Sequence, residues 1–268
     1  MTAYQKKRDI SGFYLTEGPV WVPTAIWIDS ERIDECMAYY RAHNLSRIAI
    51  SDSLGYQLGD LSFLRDHPYV RGVNLAYSSK IDISGLSFLT DLEYLLVSDT
   101  KQPLDLTQFK RLQEFRGDWR PTLKLPEGDA ALRVLALWKY RSAAGNLSGL
   151  PWLARLEDLS IVQSRITSAE GVQRYKTLRR LELSYCTDLA DISQVAGLAD
   201  GKMEVLECEK CRKIANHWSV AGLPEIGGHN TYLRRTMTDQ RGCVRTYDYD
   251  AWGRLRITGD YGDTILNC

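Results

Sequence analysis

The sequence predicts an α/β solenoid: a parallel β-sheet on the concave face, laid down one strand at a time by short repeated units, with an N-terminal β/α cap and a C-terminal β-hairpin tail. Three observations predict it. A pattern L-x-x-L-x-L, with any aliphatic side chain allowed at the L positions, recurs eight times along the chain. The recurrences begin at residues 45, 70, 92, 112, 132, 156, 178 and 203, so the steps are 25, 22, 20, 20, 24, 22 and 25 residues. Finally, each recurrence is followed by a looser apolar segment too short for a long helix, and the two ends of the chain break the pattern.

Residues 1–44 form the cap. VWVPTAIWI alternates like a strand, with Pro23 interrupting it. Ser30 is placed to cap a helix through ERIDECMAYYRAHN, with Glu31 and Asp34 in the first turn, where the macrodipole favours negative charge. Ile33, Cys36, Met37 and Tyr40 stand at i, i+3, i+4 and i+7, one apolar stripe able to cover the first repeat.

Residues 45–214 are the solenoid. Its strands include Leu92-EY-Leu95-L-Val97, Leu132-RV-Leu135-A-Leu137, Leu156-ED-Leu159-S-Ile161 and Leu178-RR-Leu181-E-Leu183. The returning segments, such as DLSFL, DISGLSFL, DLTQF and LSGLPWL, predict single turns or 3₁₀ pieces. A unit of this length cannot bury its apolar face alone, so units must stack and the ends must be covered.

Over these residues the chain resembles the leucine-rich repeat family of short repeats, whose range of repeat lengths contains all seven steps. The ninth position, where that family commonly has asparagine, holds Ser53, Ser78, Thr100, Arg120, Tyr140, Ser164, Cys186 and Cys211. Ser, Thr and Cys can act as small polar groups near the turn backbone. Arg120 and Tyr140 are too large, which predicts irregularity mid-solenoid.

The resemblance also implies a surface. Residues between the L positions point away from the core and line the concave face. There, Tyr94, Arg116, Trp119, Trp138 and Lys139 form an aromatic and basic cluster, the residue types favoured at interface hot spots. Toward the C-terminal end Arg180, Glu182, Glu207 and Glu209 follow, three of the four acidic and suited to a basic partner. The alternative reading is that Trp119 and Trp138 fold back to plug irregular repeats while the charges form a solvated face.

Composition narrows the partner. The 268 residues carry 34 Lys+Arg and 34 Asp+Glu, for a net charge of zero, and lack the basic excess of nucleic-acid binders. No apolar run is long enough to span a membrane, and the basic N-terminal stretch has no apolar segment behind it. The expectation is a cytoplasmic protein with reduced thiols and neither a nucleic-acid nor a membrane partner.

No catalytic constellation stands out. Cys208 and Cys211 form the one C-x-x-C, which with Cys186, His217 or His229 would have zinc-ligand chemistry. The repeat already accounts for all three cysteines, and the spacing fits no common zinc module, so neither metal nor cofactor is expected. Cys186-Thr-Asp188 matches the Cys-x-Asp string of certain bacterial leucine-rich-repeat ubiquitin ligases. It lies inside a repeat, however, without the large helical domain that such ligases carry. His43, His67, His217 and His229 belong to no nucleophile motif, and there is no G-x-S-x-G or phosphate loop.

Residues 215–268 change character. TDQRGCVRTYDYDAWGRLRITGDYGDT predicts a polar hairpin, CVRTYDYD against RLRIT with a turn at AWG. This stretch resembles the YD repeat of Rhs proteins at Thr238, Asp239, Gly242, Tyr247, Tyr249, Asp250, Ala251, Gly253, Arg254 and Leu255, and more loosely at Asp260, Gly262 and Thr264. A single unit encloses nothing, but Rhs loci place immunity genes beside toxin-encoding ends and displaced Rhs fragments. The two resemblances together imply a non-catalytic immunity protein that binds a cognate toxin domain through its concave face. The alternative is a translocated effector or adaptor binding a host protein.

Overall fold

The structure is a computed structural model. It describes residues 5–8, 12–17, 24–75, 79–198, 203–214, 226–227, 235–238, 244–249, 255–258 and 264–265; for 5–8, Glu17, Ser53 and everything after 214, it describes the backbone alone. The chain divides into two compact units, residues 1–126 with 130–132, and residues 127–129 with 133–268.

The first unit begins with β1 (Gln5–Arg8), β2 (Tyr14–Glu17) and β3 (Ala25–Trp27), paired antiparallel in that order. The β1–β2 pair is not evident in the sequence, since QKKR and YLTE are short and mostly polar. α1 spans Ile33–Ala42 and buries Cys36, Met37 and Tyr40, while Ile33 is half-buried. Its N-cap is Arg32, not the expected Ser30, and Arg32 makes no side-chain cap. Ser30 is engaged elsewhere: its Oγ accepts a 2.6 Å hydrogen bond from the Gln57 amide, tying the cap to the first repeat.

From β3 onward the pairing is parallel, through β4 (Arg47–Ile50), β5 (Gly72–Leu75) and β6 (Tyr94–Val97). A short β7 (Leu104–Asp105) leaves the sheet. β6 pairs instead with β8 (Glu114–Asp118), and β7 pairs with β9 (Leu123–Lys124) on the returning side. In the second unit β10 (Val134–Trp138), β11 (Asp158–Val162), β12 (Arg180–Ser184), β13 (Val205–Glu207) and β14 (Ile226–Gly227) are likewise parallel in sequence order.

Within each unit, wherever two neighbouring strands both belong to the L-x-x-L-x-L repeat, each position of one pairs with the same position of the next. Val73 faces Leu95, Leu95 faces Phe115, Leu135 faces Leu159, and Leu159 faces Leu181. These rungs are fully buried. One strand per repeat, in-register apolar rungs and short returns make this a leucine-rich repeat architecture.

The returns are 3₁₀ turns at Ser62–Asp66, Ile83–Phe88, Leu106–Gln108, Val172–Arg174 and Ser193–Leu198. Four are started by the same device. The Oδ1 of Asp60, Asp82, Asp105 and Asp191 accepts from the amide two residues on, at 2.8 to 3.0 Å. Asn146 does likewise for Ser148, at 3.1 Å. The repeated wording D-L-S, D-I-S, D-L-T and N-L-S is therefore a cap: a short side-chain oxygen satisfies an amide that the turn itself leaves open. Gly85 within one such turn is dictated by stacking, because a Cβ there would lie 2.4 Å from the Leu61 carbonyl oxygen.

All six described side chains at the ninth position are buried. Ser164 donates to the Val162 carbonyl at 3.0 Å, and Cys211 donates to the Leu183 carbonyl at 2.8 Å. Cys186 reaches the Ile161 carbonyl at 3.4 Å. The two large residues are accommodated differently. Tyr140 turns its ring fully inside while its amide donates to Ser164 Oγ at 2.9 Å. Arg120 donates through Nη1 to the Asp118 carbonyl at 3.2 Å, its Nε and Nη2 are buried without a partner, and desolvation lowers its pKa.

After the repeats, β15 (Arg235–Thr238), β16 (Val244–Tyr249), β17 (Leu255–Thr258) and β18 (Thr264–Ile265) form an antiparallel sheet, with Tyr249 opposite Leu255. The chain thus has four strands where the sequence suggests two. The expected turn at 251–253 lies outside the described residues, as do Asp239, Gly242, Asp250, Ala251, Gly253, Arg254, Asp260 and Gly262 of the YD-like pattern.

Candidate functional site

One face of each sheet lies on the buried rungs, which leaves the other open. On the open face of the first unit, Arg47 of β4 lies flat across β5, its guanidinium 3.3 Å from the centre of the Tyr94 ring on β6. Its Nη2 ends 3.1 Å from Glu114 Oε2 on β8, and the other oxygen of Glu114 accepts from Arg116 Nε at 2.6 Å. Gly72 makes this crossing possible: a Cβ there would sit 2.6 Å from Arg47 Cγ and 2.7 Å from the Ser46 carbonyl oxygen.

The expected aromatic and basic cluster is accordingly altered. Tyr94 is buried, at 6% exposure, because Arg47 covers it, so it cannot be the exposed contact that the sequence suggests. Arg116 is paired to Glu114, and Trp119 is half-buried after the end of β8. Trp138 and Lys139 belong to the second unit; Trp138 is half-buried and Lys139 exposed. Sequence reasoning set Arg47, Gly72 and Glu114 in register at the third position without singling them out. The signal was there: two opposite charges separated by a glycine and an aromatic residue at the same position.

The second unit carries the acidic group. Arg180 Nη2 lies 2.6 Å from Glu207 and 4.0 Å from Glu182, and its Nε is 3.9 Å from Asp158. Glu182 also accepts from Ser160 Oγ at 2.9 Å. Next in the row, Tyr185 donates to Glu209 at 2.9 Å and Lys210 donates to Tyr185 at 3.0 Å, a bond that raises the Lys210 pKa. Apart from the buried Ser160, these side chains are half-buried or, for Tyr185, exposed. Asp158 is a member that the sequence reading placed at the third position but did not single out. With four carboxylates against Arg180 and Lys210, the patch keeps an acidic excess, although Arg180 partly neutralises it from within.

The eighth position has its own geometry. Asp99, Lys139, Gln163, Tyr185 and Lys210 all have φ between 52° and 60°. The left-handed backbone is unusual for residues with a Cβ. In three of them the amide then donates to a carbonyl of the next repeat: Lys139 to Val162, Gln163 to Ser184 and Tyr185 to Glu209, at 2.7 to 2.9 Å. The side chains after the strands are thus fixed at the rim of the open face.

The described histidines are occupied by tyrosines: His43 stacks on Tyr39, and His67 Nδ1 lies 2.9 Å from Tyr69 OH, its pKa lowered by burial. His217 and His229 lie outside the described residues. Among the described residues, no group of three or more His, Cys, Asp or Glu is arranged to hold a metal ion, and no helix is long and apolar enough to cross a membrane. Cys36, Cys186, Cys208 and Cys211 are free and buried. The arrangement offers fixed charges and hydrogen-bonding groups on the open face of each unit.

No family model matches the chain, and no curated protein matches it. Among solved structures, an internalin (inlF) from Listeria monocytogenes is similar at 16% identity, covering 72% of this chain and 69% of that one, with a TM-score of 0.42. The functional domain of InlJ from the same organism is similar at 13% identity over 78% of this chain and 60% of that one, with a TM-score of 0.35.

Proposed function

We propose that the protein is a non-catalytic protein-binding module acting as an immunity protein, which neutralises a cognate toxin domain by gripping it with the open sheet face. One observation supports this above the others. The polar groups on that face of the second unit are held in place before any partner arrives, Arg180 by Glu207, Glu182 by Ser160, and Glu209 by Tyr185. Side chains already fixed lose little further freedom on association, so more of the contact energy remains as affinity. Their acidic excess suits a basic partner. Trp138 and Val162, opposite one another on β10 and β11 and both half-buried, supply an apolar flank.

The contact residues in this reading are Trp138, Lys139, Arg180, Glu182, Glu207 and Glu209 on the second unit; Arg116 and Trp119 belong to the first and are a separate set. Tyr94 acts only beneath Arg47. The YD-like pattern at 238–264 supports a toxin of the Rhs kind as the partner. Co-expression with the toxin domain encoded beside this gene is expected to restore growth, and persistent growth arrest would overturn the immunity reading. Glu207→Lys with Glu209→Lys is expected to weaken capture of that toxin by tenfold or more, about 1.4 kcal/mol.

A further inference from the structure

The second residue of each repeat lies just before its strand, and at this position charges pair between neighbours. Arg133 bonds Glu157 at 2.8 Å, and Arg179 bonds Glu204. Arg71 and Glu93 are the same kind of neighbours in the first unit, yet they do not pair. Glu93 is 3.6 Å from Arg111, and Arg71 has no carboxylate partner among the described residues. Arg71 instead lines a concavity of about 190 Å³ together with Tyr40, Arg41, Asn44, Leu45 and Tyr69.

The cap builds the opposite wall of that concavity. Arg41 comes from the last turn of α1, and its guanidinium lies 5.7 Å from the centre of the Tyr69 ring, also without a carboxylate partner among the described residues. Asn44 follows with φ 48°, which turns the chain down into the first repeat. Tyr40 OH accepts from the Arg71 amide at 3.4 Å and can still donate its own proton. Asp34 and Asp66 are the nearby acids that act on His67, and neither bonds to Arg41 or Arg71.

We propose that this concavity is a binding site for a phosphate group, as a monoester or as free phosphate. Two guanidinium forks, the Asn44 side-chain amide and the Tyr40 phenol offer more donors than the two oxygens of a carboxylate can accept, and a tetrahedral oxyanion presents more acceptors to them. The volume is below the 300 to 1,000 Å³ typical of pockets for drug-sized molecules, which suits one phosphate and a few attached atoms but not a nucleotide. Neither guanidinium has a carboxylate among the described residues, although Arg71 also hydrogen-bonds the Tyr40 phenol, and a bound dianion supplies the missing negative charge.

The test is calorimetric titration of the full-length protein with inorganic phosphate, phenyl phosphate and acetate. Saturable phosphate binding is expected, at least tenfold tighter than acetate. Arg41→Gln and Arg71→Gln should each weaken it roughly tenfold or more, the loss of a charge-assisted hydrogen bond. Arg65→Gln, outside the concavity, should leave it unchanged. Phenyl phosphate binding tighter than inorganic phosphate identifies an ester as the ligand; the reverse order identifies the free ion. The proposal fails if acetate binds as well as phosphate, if neither phosphate saturates, or if Arg41→Gln, at an exposed position, retains full affinity while its unfolding curve matches the parent.

Discussion

At the scale of single residues, the open face is shaped by what neighbouring positions leave out. Gly72 has no side chain, so Arg47 can lie over β5 and reach two strands further. Gly72→Ala would press a methyl group against both Arg47 Cγ and the fixed Ser46 carbonyl. Such overpacking costs about 1 to 3 kcal/mol, and the expected outcome is a lower urea midpoint with an unchanged slope. Arg47→Ala separates the two contributions: it uncovers Tyr94 and removes one partner of Glu114, but leaves the backbone alone. If Gly72→Ala is as stable as the parent, the crossing of Arg47 does not depend on the glycine. Tyr94 shows why residue type and register together are insufficient for naming a contact. Both were legible in the sequence; the cover over it depended on the length of an arginine two strands away.

At the scale of elements, the strands were legible because their signal is redundant, three apolar positions at fixed offsets repeated eight times. The return turns were legible as short, but the purpose of their D-L-S wording emerged only from the Oδ1 contacts. Hydrogen bonds from Ser62 lower the Asp60 pKa, and those from Thr107 lower that of Asp105. A carboxylate with a depressed folded pKa contributes stability above its unfolded pKa, near 4, and that contribution is lost as pH falls through the folded value. Stability is therefore expected to decline as pH is lowered below about 4. Asp60→Asn with Asp105→Asn, which keeps an acceptor oxygen, should flatten that decline; an unaltered pH profile of the urea midpoint would show that these caps are not its source. The buried cysteines make a second element-scale prediction. Burial raises the thiol pKa of Cys36 and Cys208, and a hydrogen bond with Cys211 together with burial raises that of Cys186, while the same bond lowers that of Cys211. Thiolates are the reactive form. Alkylation at neutral pH followed by mass mapping should find Cys36, Cys186 and Cys208 unmodified in the folded protein and modified once denaturant is added.

At the scale of the whole molecule, what the sequence conveyed least was how the repeats begin. The solenoid's interior repeats itself, but a cap occurs once, and its β1–β2 pair carries too little apolar alternation to stand out. The segment before Leu45 nevertheless packs on the first repeat. β3 covers β4 through the pairs Ala25 with Arg47, Ile26 with Ile48 and Trp27 with Ala49. Ile26, Ile28, Met37, Ile48 and Ile50 are all at 0% exposure. Removing residues 1–44 would turn β4 into a bare edge of a parallel sheet with its apolar rungs uncovered, a template for pairing with other chains. Repeat proteins depend on such terminal covers for solubility. The fragment 45–268 is thus expected to elute as large oligomers or to remain insoluble. A gentler variant isolates the packing: Met37→Ala, fully buried on the apolar stripe of α1, should cost about 2 to 5 kcal/mol while the elution volume stays that of the parent. If the fragment is monomeric and melts at the parent temperature, and Met37→Ala costs nothing, the segment before Leu45 does not close the end of the stack.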